Sequence, residues 1–172
     1  MEIFILSAVA GLAVLAGYVW AVAEKYGIPA SVSDTYYALE HPKVFTACMA
    51  GAAFLTLPAA LEASGEASRF LIFLSVAGMM MTGLFPHFKT YEKGLHYTGA
   101  GMLFACSQAW VCANAPSALL LWIPLLAWLA VQVKRAYADG AEVMRCLSKE
   151  HAMFWAEVTV MATTYLCIMA NL

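Results

Sequence analysis

Apolar residues fall along this chain in six blocks separated by polar stretches: Ile3–Ala23, Val44–Leu61, Phe70–Phe85, Leu95–Ala113, Ser117–Val133 and His151–Ala170. Each approaches the ~17–25 residues that a helix needs to cross a hydrocarbon core about 30 Å thick. None shows the strict polar/apolar alternation of a barrel strand, and a helix satisfies its own backbone hydrogen bonds inside lipid. The pattern predicts an all-α fold: a polytopic transmembrane helical bundle of about six spans, with residues 1–172 as a single integral membrane domain. The third block is short, with room to run on through Pro86, His87 and Phe88.

Composition supports the lipid reading. Apolar residues make up 63% of the chain and charged residues 12%, with a mean hydropathy of +0.76. A soluble domain carries about twice that share of charge. An ordinary soluble enzyme and a disordered chain are therefore excluded. A net charge of -2 gives no reason to expect a nucleic-acid partner. The partner expected instead is the bilayer, with a homo-oligomer or a second membrane protein beside it. The first block ends in Ala21-Val22-Ala23, like a cleavage site, but Met1-Glu2-Ile3 lacks a basic lead-in and the apolar run is long for a signal. It is expected to stay as a span.

Eight of the nine basic residues lie in segments 24–43, 86–94 and 134–150, which six spans would place on one side. The positive-inside rule makes that side cytoplasmic, with both termini outside, in an inner (plasma) membrane. Small residues four apart mark expected close approaches between helices: Ser7/Gly11, Ala13/Gly17, Ala47/Gly51 and the row Gly101, Ala105, Ala109, Ala113. Pro58 and Pro124 are expected to bend the second and fifth spans. Five cysteines without a C-x-x-C pair argue against a disulfide framework.

Candidate chemistry collects on the long-loop side. His41, His87, His96 and His151 lie there with Asp34 and Glu150, and Glu157 enters the last block about two turns in. An ionisable group at that depth is costly unless it is protonated, paired or facing a polar cavity. His96 is the expected partner of Glu157, forming a titrating pair. Glu150, Glu157 and Thr164 recur every seven residues, and His96 and Ser107 share a face of the fourth block. If these stripes face each other they form a polar seam. Ser31-x-x-Asp34 fits a helix-capping pattern, while Ser33, Asp34, His41, His87 and His151 form a candidate cluster at the cytoplasmic face.

The first loop reads Pro29-Ala30-Ser31-Val32-Ser33-Asp34-Thr35-Tyr36-Tyr37, and the fourth block opens Gly94-Leu95-His96-Tyr97-Thr98-Gly99-Ala100. On these motifs the chain resembles small uncharacterised bacterial six-span integral membrane proteins with a P-x-S-x-S-x-T-Y-Y-like loop and an H-Y-x-G-A helix start. The resemblance implies their fold and brings no activity. The Ser33, Asp34, His87, His96 and His151 set is also similar in kind to that of zinc hydrolases of the alkaline ceramidase and adiponectin-receptor superfamily. Those have seven spans and a paired H-x-x-x-H on the last; here His151 and Glu157 lie about 240° apart around a helix.

The leading expectation is a membrane protein that moves a small solute, ion or proton through the seam, with Glu157 and His96 titrating and Ser107 and Thr164 along the path. No cofactor is expected for that activity. The alternatives are a membrane-embedded hydrolase acting on a lipid-like substrate, with zinc held by His87, His96 and His151, and a non-catalytic scaffold or assembly subunit.

Overall fold

The computed structural model describes residues 1–87 and 89–172. They form α1 (Glu2–Tyr26), a one-turn α2 (Thr35–Ala38), α3 (Lys43–Glu62), α4 (Arg69–Leu84) and α5 (Lys93–Asn114). A 3₁₀ segment (Pro116–Leu121) then leads into α6 (Trp122–Ala138), followed by α7 (Val143–Lys149) and α8 (Ala152–Asn171). No strand occurs among the described residues.

Every apolar block is helical, but the blocks are not equal. Four helices are long and apolar enough to cross a membrane: Glu2–Tyr26, Lys43–Glu62, Pro116–Ala138 and Ala152–Asn171. Helix α4 is apolar but has only 16 residues, or roughly 24 Å at 1.5 Å per residue. It ends at Leu84 without continuing through Pro86 and His87; Phe88 lies outside the described residues. Helix α5 is long enough, but His96, Ser107, Gln108 and Asn114 reduce its apolarity.

Five helices close a ring: α1 packs on α3, α3 on α4, α4 on α5, α5 on α8, and α8 returns to α1. Leu15, Phe45, Met49, Ile72, Trp110 and Ile168 fill its interior. Helix α6 stands outside the ring, with α7, α8 and the 3₁₀ segment as its main neighbours. An apolar groove of about 390 Å³, walled by Trp128 and Trp155, separates it from α8.

Glycine decides the tightest crossing. A Cβ on Gly78 would stand 2.5 Å from the Gly99 carbonyl oxygen and 2.6 Å from the Leu103 nitrogen, so α4 and α5 meet backbone to backbone there. Gly11 serves α1 similarly, against Thr56 of α3 and Tyr165 of α8, and the Ser7 hydroxyl donates to the Leu55 carbonyl. Ser7/Gly11 is thus a true contact pair. The longer row is not: Gly101, Ala105, Ala109 and Ala113 are all exposed on the outside of the ring, as are Ala13 and Gly17. Periodicity identifies a face of small residues without identifying what lies opposite.

The prolines divide in the same way. Pro58 lies inside α3, as expected. Pro124 is instead in the first turn of α6, because residues 116–121 wind as 3₁₀ and the α-helix starts at Trp122. Its missing N–H costs nothing there, since the first N–H groups of a helix have no intrahelical acceptor.

Candidate functional site

The first loop is strapped along the start of α8 by three hydrogen bonds. His151 Nδ1 lies 3.0 Å from the Pro29 carbonyl oxygen, the Phe154 N–H donates to the Ala30 carbonyl at 3.2 Å, and the Val32 N–H donates to Glu157 Oε2 at 2.5 Å. The three groups come from the N-cap His151, the first turn of α8 and Glu157 in its second turn, so the strap runs across the start of the helix. The strap also satisfies an otherwise orphaned N–H of the first helical turn. His151 turns the chain into α8 with φ 57 and ψ 34, a left-handed conformation that non-glycine residues rarely adopt. Glu150 consequently caps α7 and is exposed, so it does not extend the α8 stripe as its seven-residue spacing suggested.

Glu157 lines a cavity of about 30 Å³ inside the ring. Val32 and Ser33 of the strap, Met49 of α3, Thr82 of α4, and Leu103 and Phe104 of α5 are among its walls. Ser33 and Thr82 are 8% and 3% exposed. Thr82 Oγ1 donates to the Gly78 carbonyl at 2.9 Å. Ser33 Oγ and Glu157 Oε1 have no hydrogen-bond partner among the described residues, and no Lys, Arg or His lines the space. One acidic residue, two hydroxyl-bearing residues and apolar side chains therefore line one small cavity, large enough to hold water.

The expected pair of Glu157 with His96 is not formed among these hydrogen bonds. His96, 2% exposed, places Nδ1 3.0 Å from the Phe85 carbonyl oxygen, where it ties the end of α4 to the start of α5. The acceptor it serves is the carbonyl left free where α4 stops. No spacing rule shows this, because the bond depends on where the helix ends.

The long-loop cluster assembles in part. Asp34 Oδ1 meets Lys89 Nζ at 2.5 Å, while Ser31 Oγ accepts from the Asp34 N–H at 3.1 Å and donates to Asp34 Oδ2 at 3.3 Å. The Ser31–Asp34 motif thus forms a hydrogen-bonded turn just before α2. Tyr36 Oη lies 3.1 Å from His87 Nε2, and the His87 ring stacks on Tyr91 with centroids 5.3 Å apart. Desolvation, followed by the negative potential of neighbouring Tyr37, Tyr91 and Glu92, raises the Tyr36 phenol above its ordinary pKa. Tyr37 Oη donates to the Pro86 carbonyl at 3.2 Å and accepts from the Lys89 N–H at 3.0 Å. Loop 27–42 and loop 85–92 are interlocked; His41 is exposed at their edge. His87, His96 and His151 each engage a different partner, and no group of three His, Cys, Asp or Glu side chains able to hold a metal ion occurs among the described residues.

The hydrogen bonds between α5 and α8 run through Gln108 and Thr163, each next to a residue of the predicted stripes. Gln108 Nε2 donates to Thr163 Oγ1 at 3.1 Å and to Ser107 Oγ at 3.2 Å, and Trp122 Nε1 donates to Gln108 Oε1 at 2.9 Å. Ser107 is fully buried and donates to the Phe104 carbonyl, while Thr164 donates back to Val160 of its own helix at 2.7 Å. Thr56 and Tyr165 pair at 2.5 Å across α3 and α8. Gln108 lies beside the predicted stripe, while Thr163, Thr56 and Tyr165 carry no spacing signal; only the crossing of the helices makes them partners.

Comparison with protein families, characterised proteins and solved structures finds no match to this chain. The functional reading therefore rests on the site itself.

Proposed function

We propose that this protein is a multi-pass membrane protein that carries a proton or a small inorganic cation on Glu157. The observation behind this reading is a carboxylate within the helical ring, facing a chamber with no basic side chain around it. A charge so placed is costly until a proton or a cation neutralises it. The chamber accommodates one water-sized occupant, and the nearby polar groups of α5 and α8 are closed on one another, which favours a bare ion over an organic solute. In this reading all six blocks lie in the inner (plasma) membrane, α4 and α5 sheltered by their neighbours, with the basic long loops cytoplasmic and both termini outside.

The test is ion flux in liposomes containing the purified protein, followed with a pH-sensitive dye and with a cation-sensitive dye. Flux with the native chain that is lost in Glu157→Gln is expected; flux unchanged by that substitution removes the reading. A scaffold role is the second reading. It is favoured by the exposed row Gly101, Ala105, Ala109 and Ala113, which would let another helix approach α5 closely. The lipid hydrolase alternative would require His87, His96 and His151 to leave their present partners.

A further inference from the structure

We infer that the chamber beside Glu157 is a binding site for a dehydrated monovalent cation of sodium size, liganded by Glu157, Ser33 and Thr82. This rests on the reading of Glu157 as the ion-carrying group and goes further by naming the ion and its ligands.

Three observations carry it. Residues bearing side-chain oxygens line one cavity from three separate elements: Ser33 from the strap, Thr82 from α4 and Glu157 from α8. Hard cations prefer such oxygen sets, and irregular backbone next to a helix is a recurrent setting for sodium and proton sites in transporters. Second, the hydroxyls are available. Ser33 is 92% buried in the sense that only 8% of it is exposed, yet its Oγ has no hydrogen-bond partner among the described residues. Thr82 gives its proton to the Gly78 carbonyl, leaving its lone pairs free to face a cation. Third, the charge and volume fit. One carboxylate supplies a single negative charge, and a cavity of about 30 Å³ favours a small ion over a larger one. Asp34, two residues beyond Val32, adds no second vacant charge because Lys89 holds it.

The strap gives the site its door. Val32 and Ser33 form one wall, and the Val32 N–H holds Glu157 Oε2, leaving Oε1 for the ion. Loading from the long-loop end requires residues 29–33 to lift away from α8.

The experiment is equilibrium binding of radioactive sodium to the full chain in detergent, with parallel proton and sodium flux in liposomes. Saturable sodium binding near one ion per chain is expected, absent in Glu157→Gln and weakened roughly tenfold or more in Ser33→Ala and Thr82→Val. Thr82→Ser keeps the hydroxyl and should keep the affinity, which separates a ligand role from a packing role. A thermal shift on adding sodium chloride, but not choline chloride, should follow the same ranking. No sodium binding, with Glu157-dependent proton flux intact, overturns the sodium site while the carrier reading stands. Absence of both binding and flux in the native chain overturns the two together. Sodium binding unchanged in all three variants places the ion elsewhere and also overturns the site.

Discussion

Glu157 combines two roles that different substitutions separate. Its Oε2 accepts the Val32 N–H, and Val32 is only 2% exposed, so removing the acceptor leaves a buried donor unpaired. Glu157→Ala should cost about 1–3 kcal/mol of stability, read from thermal unfolding in detergent. Glu157→Gln keeps an acceptor oxygen in place and should lose most of the flux at nearly native stability. An equally large loss of stability in both variants would show that the charge itself holds the strap. The glycines offer a cleaner contrast, since Gly78→Ala brings a methyl within 2.6 Å of α5 backbone while Gly101→Ala meets nothing within 4 Å. The first should destabilise by roughly 1–3 kcal/mol and the second by almost nothing. The sequence shows both as glycines in apolar helices, and only the helix crossing distinguishes them.

Among the elements, the strap and the 85–92 loop carry the most specific interactions. The Asp34–Lys89 ion pair joins them with side chains 23% and 53% exposed, so its worth is on the order of 1 kcal/mol after solvent screening. Lys89→Ala should therefore leave the fold intact while raising amide exchange across residues 31–38, measured by mass spectrometry. Exchange unchanged in that segment would mean that Tyr36 and Tyr37 alone hold the loops together. The same scale explains the fate of two sequence expectations. Ser31-x-x-Asp34 fits a helix cap by its spacing; the Asp34 N–H does donate to Ser31 Oγ, but α2 starts after Asp34, which makes no side-chain cap bond. The heptad from Glu150 to Thr164 failed at its first member because His151 adopts a left-handed conformation and starts a new helix. Pro124→Ala should leave thermal stability unchanged, since the first turn of α6 needs no N–H at that position.

For the whole molecule, charge asymmetry and ring closure have different consequences. Lys134 and Arg135 lie in the last turns of α6 and Arg145 and Lys149 in α7, whereas Glu66 and Arg69 lie by the short turn between α3 and α4. Single cysteines at positions 66 and 149 in a cysteine-free background should react with an impermeant maleimide from opposite sides of sealed vesicles, with position 66 outside. Labelling of both from one side would overturn the six-span arrangement. Ring closure brings α8 back to α1 and places Glu157 inside the fold. It also leaves α6 outside, although α6 belongs to one of the most apolar stretches of the chain.

The sequence by itself determined the helical class, the location of every long helix, the Ser7/Gly11 pair on α1 and the presence of an ionisable group, Glu157, inside an apolar block. These follow from local periodicity and from the cost of placing charge in an apolar block, both properties of neighbouring residues. Tertiary structure decided the partners. Glu157 found a backbone N–H 125 residues away, His96 found the carbonyl at the end of α4, and the bonds between α5 and α8 run through Gln108 and Thr163. Such pairings depend on crossing angle and on where each helix stops. A periodic pattern gives the face of a helix; what lies against that face is fixed when the backbone groups of the assembled ring find their partners.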